Sequence, residues 1–428
     1  MTDAPILVVG GGPAGASAAA TLAEAGLRVL LVEQRDQLGG AIHRQPALGA
    51  AHTVHAPARH RRNWAELARR IDAAGSRIEL HTGTVFLGVD GDGRHLFDDR
   101  ATGRVVARTI RAAVIAVGAV EKIHPFEGWD LPGVMTAGGA QVLLKETGVP
   151  PTGPTLVAGT GPLLLAVSAQ LAKAGNPPVA VLERGRPWLR VNALLQMVGA
   201  GQQLAEAASY AATLLSHWVP YRTGTDILSV REDAAGLEVR VRRSGSVHSL
   251  RARHLLVHDG IEPNRVGIPI PDPEAAVPVV LAGDGREILG ADAAILDGRR
   301  AACMILARLG LRLPDAQVEA RLKAARNVQA AISNMFRSAL PEPTPETLIC
   351  RCEARRLSDF RSLPDDASAR EIRLMGRFGM GVCQGRFCGS TIAALRGEAV
   401  PSVIPPRWPL RPVSLAALAD LKTDELES

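Results

Sequence analysis

Short apolar runs that end in glycine, each followed by an alanine- and leucine-rich stretch, set the rhythm of this chain. ILVVGGGPAGASAAATLAEAGLRVLLVEQ reads as a buried strand, a glycine turn, a helix, a second strand and a closing acid. GPTLVAGTGPLLLAVSAQLAKAGNPPVAVLERGRPW repeats that order. RAAVIAVGAVEK supplies a further strand and turn, and VPVVLAGDGREILGADAAILDGRRAA a strand with a glycine- and alanine-rich helix behind it. WAELARRIDAAG and VEARLKAARNVQAAISNMF have helical spacing, and the second leads into the proline-rich linker PEPTPETL. HPFEGWDLPGVMTAGGAQVLLK and HLLVHDGIEPNR, rich in proline and glycine, mark crossings between lobes. The alternation predicts an α/β chain with two dinucleotide-binding units and a small carboxy-terminal unit.

The first repeat has the chemistry of a nucleotide site. Gly10 allows the tight turn, Gly12 lets the backbone approach a pyrophosphate, Gly15 lets the helix pack on the strand, and Glu33 stands where a carboxylate takes ribose hydroxyls. The Gly39–Gly40 pair shortly after the acid suits a loop lying against a flavin, and Gly118 turns the next strand. Gly283 and Asp284 end a later strand, where the acid can bind ribitol hydroxyls and the following helix can face the flavin. FAD is therefore the expected cofactor of this Rossmann-like domain.

In the second repeat Gly159 and Gly161 hold the first two positions, but the third is Leu164, so the turn should be wider or shifted. Glu183 still suits a ribose, and Arg184 or Arg186 an extra phosphate. NAD(P), another nucleotide, and a retained fold that only packs all stay open here.

Four of the five cysteines sit near the end: Cys350 and Cys352 in a C-x-C pair, Cys383 and Cys388 in a C-x4-C pair. Two short ligand pairs about thirty residues apart suit a [2Fe-2S] cluster, with a zinc site as the structural alternative. Gly379, Gly381, Gly385 and Gly389 let the loops bend and point N–H groups at sulfide, and Arg386 can offset negative charge. Cys303, in RRAACMILARLG, reads as a small buried helix residue.

Length and charge narrow the class. A chain of 428 residues holds two or three domains, and no run approaches twenty uninterrupted apolar residues, so no membrane span is expected. A strand begins within a few residues of Met1, which leaves no room for a signal peptide and points to the cytoplasm, with a peripheral place at the inner face of the membrane still open. The net charge of +6 comes from scattered arginines, which argues against nucleic acid and fits either a solvated surface or a basic face for an acidic partner. His52, His55 and His60 are expected in a polar loop leading to the helix WAELARRIDAAG, with a metal site as the alternative, and Glu121, Lys122 and His124 in surface or hinge roles. No catalytic acid–base pair stands out. In PPRWPLRPVSLAALADL, Trp408, Leu410 and Val413 are apolar enough to predict docking on the FAD domain or a partner.

With those motifs in place, nearly the first 330 residues resemble two-dinucleotide-domain flavoproteins of the glutathione-reductase type. No cysteine precedes Cys303, which excludes their disulfide chemistry. CRCE and GMGVCQGRFCG, with the residues between them, resemble bacterioferritin-associated-ferredoxin-like (BFD-like) [2Fe-2S] domains. The order of parts across the whole chain resembles the alpha subunits of bacterial flavin-dependent amine dehydrogenases. That group includes the A subunit of opine oxidase, the alpha subunit of D-hydroxyproline dehydrogenase and the B subunit of hydrogen cyanide synthase.

The resemblance implies the following division: 1–122 as the first part of the FAD-binding domain, 123–254 as the second nucleotide domain, 255–338 as the return to the FAD domain with a helical run, 339–346 as linker, 347–400 as the [2Fe-2S] domain and 401–428 as a docking tail. It further implies a flavin-containing beta subunit resembling D-amino-acid oxidase, which oxidises a secondary amine or glycine and passes electrons to this chain. Some members also have a small ferredoxin-like subunit, and the respiratory chain is the expected acceptor. ATP, NAD(P) or an FMN at the subunit interface are the candidates for a second nucleotide. Three other readings remain: a self-contained NAD(P)H-dependent flavin and iron–sulfur reductase, a hydrogen cyanide synthase subunit, and a non-catalytic scaffold. Opine, D-hydroxyproline, proline and glycine all stay open as substrates.

Overall fold

A computed structural model of the chain describes residues 4–47, 56–197, 200–264, 268, 277–311, 315–398, 409–419 and 421. Among them, two five-stranded parallel sheets carry the two glycine turns. The first has the spatial order Val279–Leu281, Ala112–Ile115, Ile6–Val9, Val29–Val32, Ile78–His81. The apolar runs ILVV, VLLV and AAVI are buried residue by residue, as parallel strands covered on both faces must be. Alternate side chains serve two cores. Ile6 and Val8 meet the helices Pro13–Glu24 and Ala291–Arg308, while Leu7 and Val9 meet Phe86 and Phe97 of an antiparallel three-stranded meander, residues 84–108.

The second sheet runs Tyr221–Thr223, Ala180–Glu183, Thr155–Gly159, His254–His258, Val134–Thr136, with its own meander over residues 225–252. Each lobe is thus a parallel sheet, covering helices and a meander. The chain crosses between them at Ala119–Glu121 and returns at Ile261–Pro263, and these two short strands pair antiparallel. That pairing sets the hinge.

The cysteine-bearing unit is a small hairpin, Leu348–Cys350 with Arg355–Arg356, and the helices Leu357–Arg361, Ala369–Leu374 and Gly389–Leu395 around Ile349, Leu357, Ile372, Phe378 and Ile392. It is held by both lobes: Trp129 Nε1 donates to the Leu348 carbonyl at 2.7 Å, and Ser390 Oγ donates to Glu262 at 2.6 Å. The tail does dock on the first lobe. Leu410 N donates to Leu87 O at 2.9 Å, and the helix Leu415–Ala419 buries Ala417 among Val85, Leu87, Leu96 and Val105 of the meander. Trp408, His52 and His55 lie outside the described residues.

One expectation changes. The helix expected to follow a polar loop runs from Ala58 to Ala74, so His60 belongs to its first turn. Cys303 is buried in Ala291–Arg308, as anticipated. No helix among the described residues is long and apolar enough to cross a membrane.

Candidate functional site

The first glycine turn is shaped by backbone contact. Gly10 has a φ of +102°, and a Cβ there would lie 2.4 Å from the Ala116 carbonyl. At Gly15 a Cβ would lie 1.8 Å from Gly10 O, so only glycine lets the helix start this close to the strand. Gly12 precedes the helix, Pro13 takes its first position, and the nearest atom to a Cβ on Gly12 would be Gly40 Cα at 3.6 Å. The diglycine loop therefore lies over the mouth of the turn, tied down by Gly39 N donating to Gly11 O at 2.9 Å. Lys145, buried and pushed down to about 8 by that burial, donates from the second lobe to the carbonyls of Ala41 at 3.1 Å and Ile42 at 3.3 Å.

Glu33 is buried at the end of its strand and accepts from Gly11 N at 2.7 Å and Arg35 N at 3.0 Å. Gly118 accepts from Asn264 N at 3.0 Å, where the chain re-enters the lobe. Gly283 and Asp284 lie in the turn before Ala291–Arg308, and burial raises the Asp284 carboxyl above its usual range. The turn, the diglycine loop and these two acids are thereby gathered at the carboxy-terminal edge of one parallel sheet, the place where such sheets bind dinucleotides.

Sequence reasoning missed what holds Asp284 in place. Asp297, buried in the second turn of the helix, accepts from Gly283 N at 2.7 Å, Arg286 Nη2 at 2.7 Å and Arg300 Nε at 2.6 Å. Burial would raise this carboxyl, but the two guanidiniums hold it below the usual range. Glu121, expected in a surface or hinge role, is at the hinge, and its partners are what the sequence did not announce. Glu121 accepts from His258 Nδ1 at 2.9 Å and from the N–H groups of Gly138 and Gly139 at 3.0 and 3.1 Å, joining both crossings to the start of the helix Ala137–Thr147. A third group spans the lobes: His60 lies 3.3 Å from Asp292 and 3.5 Å from Glu206, beside Arg59, Asn63 and Tyr210. Those carboxylates raise the imidazole to about 9. Partners separated by up to 229 residues leave no local trace in a sequence.

In the second lobe the helix begins at Leu163, with Pro162 before it, one residue later relative to the glycines than in the first lobe. Leu164 is fully buried against Val157 and Leu171. Glu183 accepts from Gly185 N at 2.8 Å and Gly161 N at 3.1 Å, with Thr160 Oγ1 at 2.8 Å and Tyr221 Oη at 3.3 Å. Arg184 follows the acid, and its Nε and Nη1 have no hydrogen-bond partner among the described residues. Its side chain is buried, 2.6 Å from Asp259 and 3.5 Å from Asp226.

The carboxy-terminal loops bring the four cysteines into mutual reach as two pairs. Cys388 lies beside Cys350, and Cys352 beside Cys383. Cys350 and Cys388 are buried, Cys352 is exposed and Cys383 lies between. Hydrogen bonds from Cys388 and from the N–H groups of Gly379, Glu353 and Cys352 pull the Cys350 thiol below its ordinary value. Ala354, Arg377 and Gln384 adopt left-handed backbone beside these loops, at φ of +50°, +63° and +50°. Gly381 is packed so that a Cβ would lie 2.2 Å from Cys352 Cβ. Arg386 donates to the carbonyls of Cys383 and Leu410, tying the cysteine loop to the tail. Among the described residues no group of three or more His, Cys, Asp or Glu is arranged to hold a metal ion.

Residues 4–319 match the pyridine nucleotide-disulphide oxidoreductase family. The chain belongs to that family. Within this pyridine nucleotide-disulphide oxidoreductase the matched stretch contains a single cysteine, Cys303, buried in a helix, so it has no redox disulfide pair. It is 32% identical to the A subunit of opine oxidase from Rhizobium meliloti (strain 1021), over 97% of this chain and 98% of that protein. It is 28% identical to the HcnB subunit of hydrogen cyanide synthase from Pseudomonas aeruginosa, over 98% of this chain and 99% of that one. In fold it matches L-proline dehydrogenase from P. horikoshii, with a TM-score of 0.65 and 19% identity over 97% of this chain and 79% of that one. The chain is an oxidoreductase of the flavoprotein type, and both sequence relatives are by name subunits of larger enzymes.

Proposed function

We propose that this chain is the FAD- and [2Fe-2S]-containing electron-transfer subunit of a multi-subunit amine or imino-acid dehydrogenase of opine or D-hydroxyproline type. The observation that carries the reading is the C-x-C and C-x4-C spacing of Cys350, Cys352, Cys383 and Cys388, on a unit fastened to both lobes of a flavoprotein fold that lacks a redox disulfide. A two-iron cluster takes two thiolates for each iron, and the two short cysteine pairs can supply all four. Gly10, Gly12 and Gly15 would seat a pyrophosphate, Glu33 and Asp284 would accept from sugar hydroxyls, and Gly39, Gly40, Gly118 and Gly283 would line the flavin. Bound FAD supplies the conversion between two-electron and one-electron chemistry, and a [2Fe-2S] centre carries one electron at a time.

In this reading the amine is oxidised on a flavin-containing beta subunit that resembles D-amino-acid oxidase, and this chain conducts the electrons away. The onward carriers are a small ferredoxin-like subunit, then the respiratory chain. The test is co-purification with the products of the neighbouring reading frames, followed by anaerobic spectra with opines, D-hydroxyproline, proline and glycine. Bleaching by one substrate class, only when the beta subunit is present, is expected. Rapid bleaching of the isolated chain by NADH or NADPH would instead establish a self-contained reductase, and a colourless protein after anaerobic expression with iron would remove electron transfer altogether.

A further inference from the structure

The mouth of the second glycine turn is filled by the chain itself. The helix Ala316–Phe336 ends there, and the Phe336 carbonyl lies 2.8 Å from Thr160 Oγ1 and 3.4 Å from where a Cβ on Gly185 would stand. One residue on, Arg190 Nη2 donates to the Arg337 carbonyl at 2.7 Å. The imidazole of His124 then meets the Pro341 carbonyl at 2.7 Å. Pro341 also closes a cavity against Gly159, Arg184 and Asp259 whose volume is about 10 Å³, room for one water and far short of a nucleotide.

The polar groups of the turn are committed accordingly. Four donors surround Glu183, and Arg184 Nη2 is paired with Asp259 at 2.6 Å with Asp226 3.5 Å from Nε. Thr160 has one proton and two acceptors at equal distance. The Thr160 hydroxyl is therefore shared between the Glu183 carboxyl and the Phe336 carbonyl. At the first turn, by contrast, the described donors to Glu33 are the backbone N–H groups of Gly11 and Arg35.

We propose that the second glycine turn is an anchoring socket for the linker to the cysteine unit, and that its ligand is the main-chain carbonyls of Phe336, Arg337 and Pro341 in place of a dinucleotide. The linker then runs only as far as Leu348 before Trp129 takes hold of it, so socket and tryptophan together fix the cysteine unit against the lobes. This goes beyond the electron-transfer reading and does not depend on it.

The experiment uses the full chain. Titration calorimetry with NAD+, NADH, ATP and ADP up to about 1 mM should give no saturable binding, a ceiling equivalent to about −4 kcal/mol. Saturable binding of any of them overturns the proposal. Trypsin digestion under native conditions supplies the second arm, because Arg337 is exposed but its carbonyl is held. Cleavage after Arg337 should rise at least tenfold in the variant Thr160→Val with Arg190→Ala. An unchanged rate in a variant that melts like the wild type overturns the socket. If the double variant fails to fold, Arg190→Ala alone, at an exposed position, should raise amide exchange in 336–341, and unaltered exchange there has the same force as unaltered cleavage.

Discussion

Gly298 is where the first lobe can be loosened without touching any candidate ligand. The helices Pro13–Glu24 and Ala291–Arg308 cross there, and a Cβ at position 298 would lie 2.0 Å from the Ala14 carbonyl oxygen, 2.8 Å from its carbon and 3.0 Å from its Cα. Ordinary contacts are about 3.5 Å, so Gly298→Ala must part the helices by more than about 1 Å. The obstacle is backbone on a buried helix and cannot swing aside. Overpacking of this kind costs about 1–3 kcal/mol, and the upper end applies because Ala14, Ala18, Ala294, Ala301 and Ile305 are packed around it. Alanine returns about 1 kcal/mol through helix propensity, leaving a net loss of about 2 kcal/mol. In a lobe of this size that lowers the melting temperature by roughly 4–8 °C. Ala14 lies in the first turn above the glycines, so FAD retention on gel filtration should fall together with stability. Thermal unfolding followed by circular dichroism is the assay, with Gly201→Ala as control, since a Cβ there meets nothing within 4 Å. A melting temperature for Gly298→Ala equal to or above that of the wild type would refute the reasoning.

Asp297→Asn should cost about 3 kcal/mol in a urea titration and weaken FAD binding, because Arg286 and Arg300 keep their charge without a buried partner; partial exposure of Arg286 keeps the figure at the low end. The same carboxyl is held below 3.8 in the fold, so its stabilisation is present above that pH and fades as pH falls through its lowered pKa. His60 works in the opposite sense: raised from 6.5 to about 9, it contributes fully below pH 6.5 and progressively less as pH rises through 9. His60→Gln should therefore flatten the melting-temperature profile between those values, with Asp292, Glu206, Arg59, Asn63 and Tyr210 unchanged around it, and a profile identical to the wild type would count against the clasp. Cys352→Ser should lower bound iron and labile sulfide after anaerobic reconstitution, whereas Cys303→Ser, in a helix core, should leave both unaltered and lower only the melting temperature.

Much of the lobe architecture was legible because its signals are local. A strand, a glycine turn, a helix and an acid occupy about thirty consecutive residues, and each step follows from period, capping and steric need. The shifted second turn was legible for the same reason, since Leu164 cannot occupy glycine's place. His60 was misplaced because nothing within a few residues announces a helix beginning at Ala58; its carboxylate partners come from helices over a hundred residues away. The neighbours of Arg184 were not legible either, for Asp259 and Asp226 come from other segments of the chain.

From residue order alone come the two nucleotide folds, the acids at their strand ends, the absence of a redox disulfide before Cys303 and the pairing of cysteines in two short loops. These are properties of spacing, and spacing is written along the chain. Only the tertiary structure decided what each turn faces: the diglycine loop in the first lobe, the carbonyls of residues 336–341 in the second. It also decided that Asp297, Glu121 and His60 have partners. Such contacts are made between segments whose separation the chain's local chemistry does not encode, and they exist only once the sheets, through packing of their apolar faces, have fixed where those segments lie.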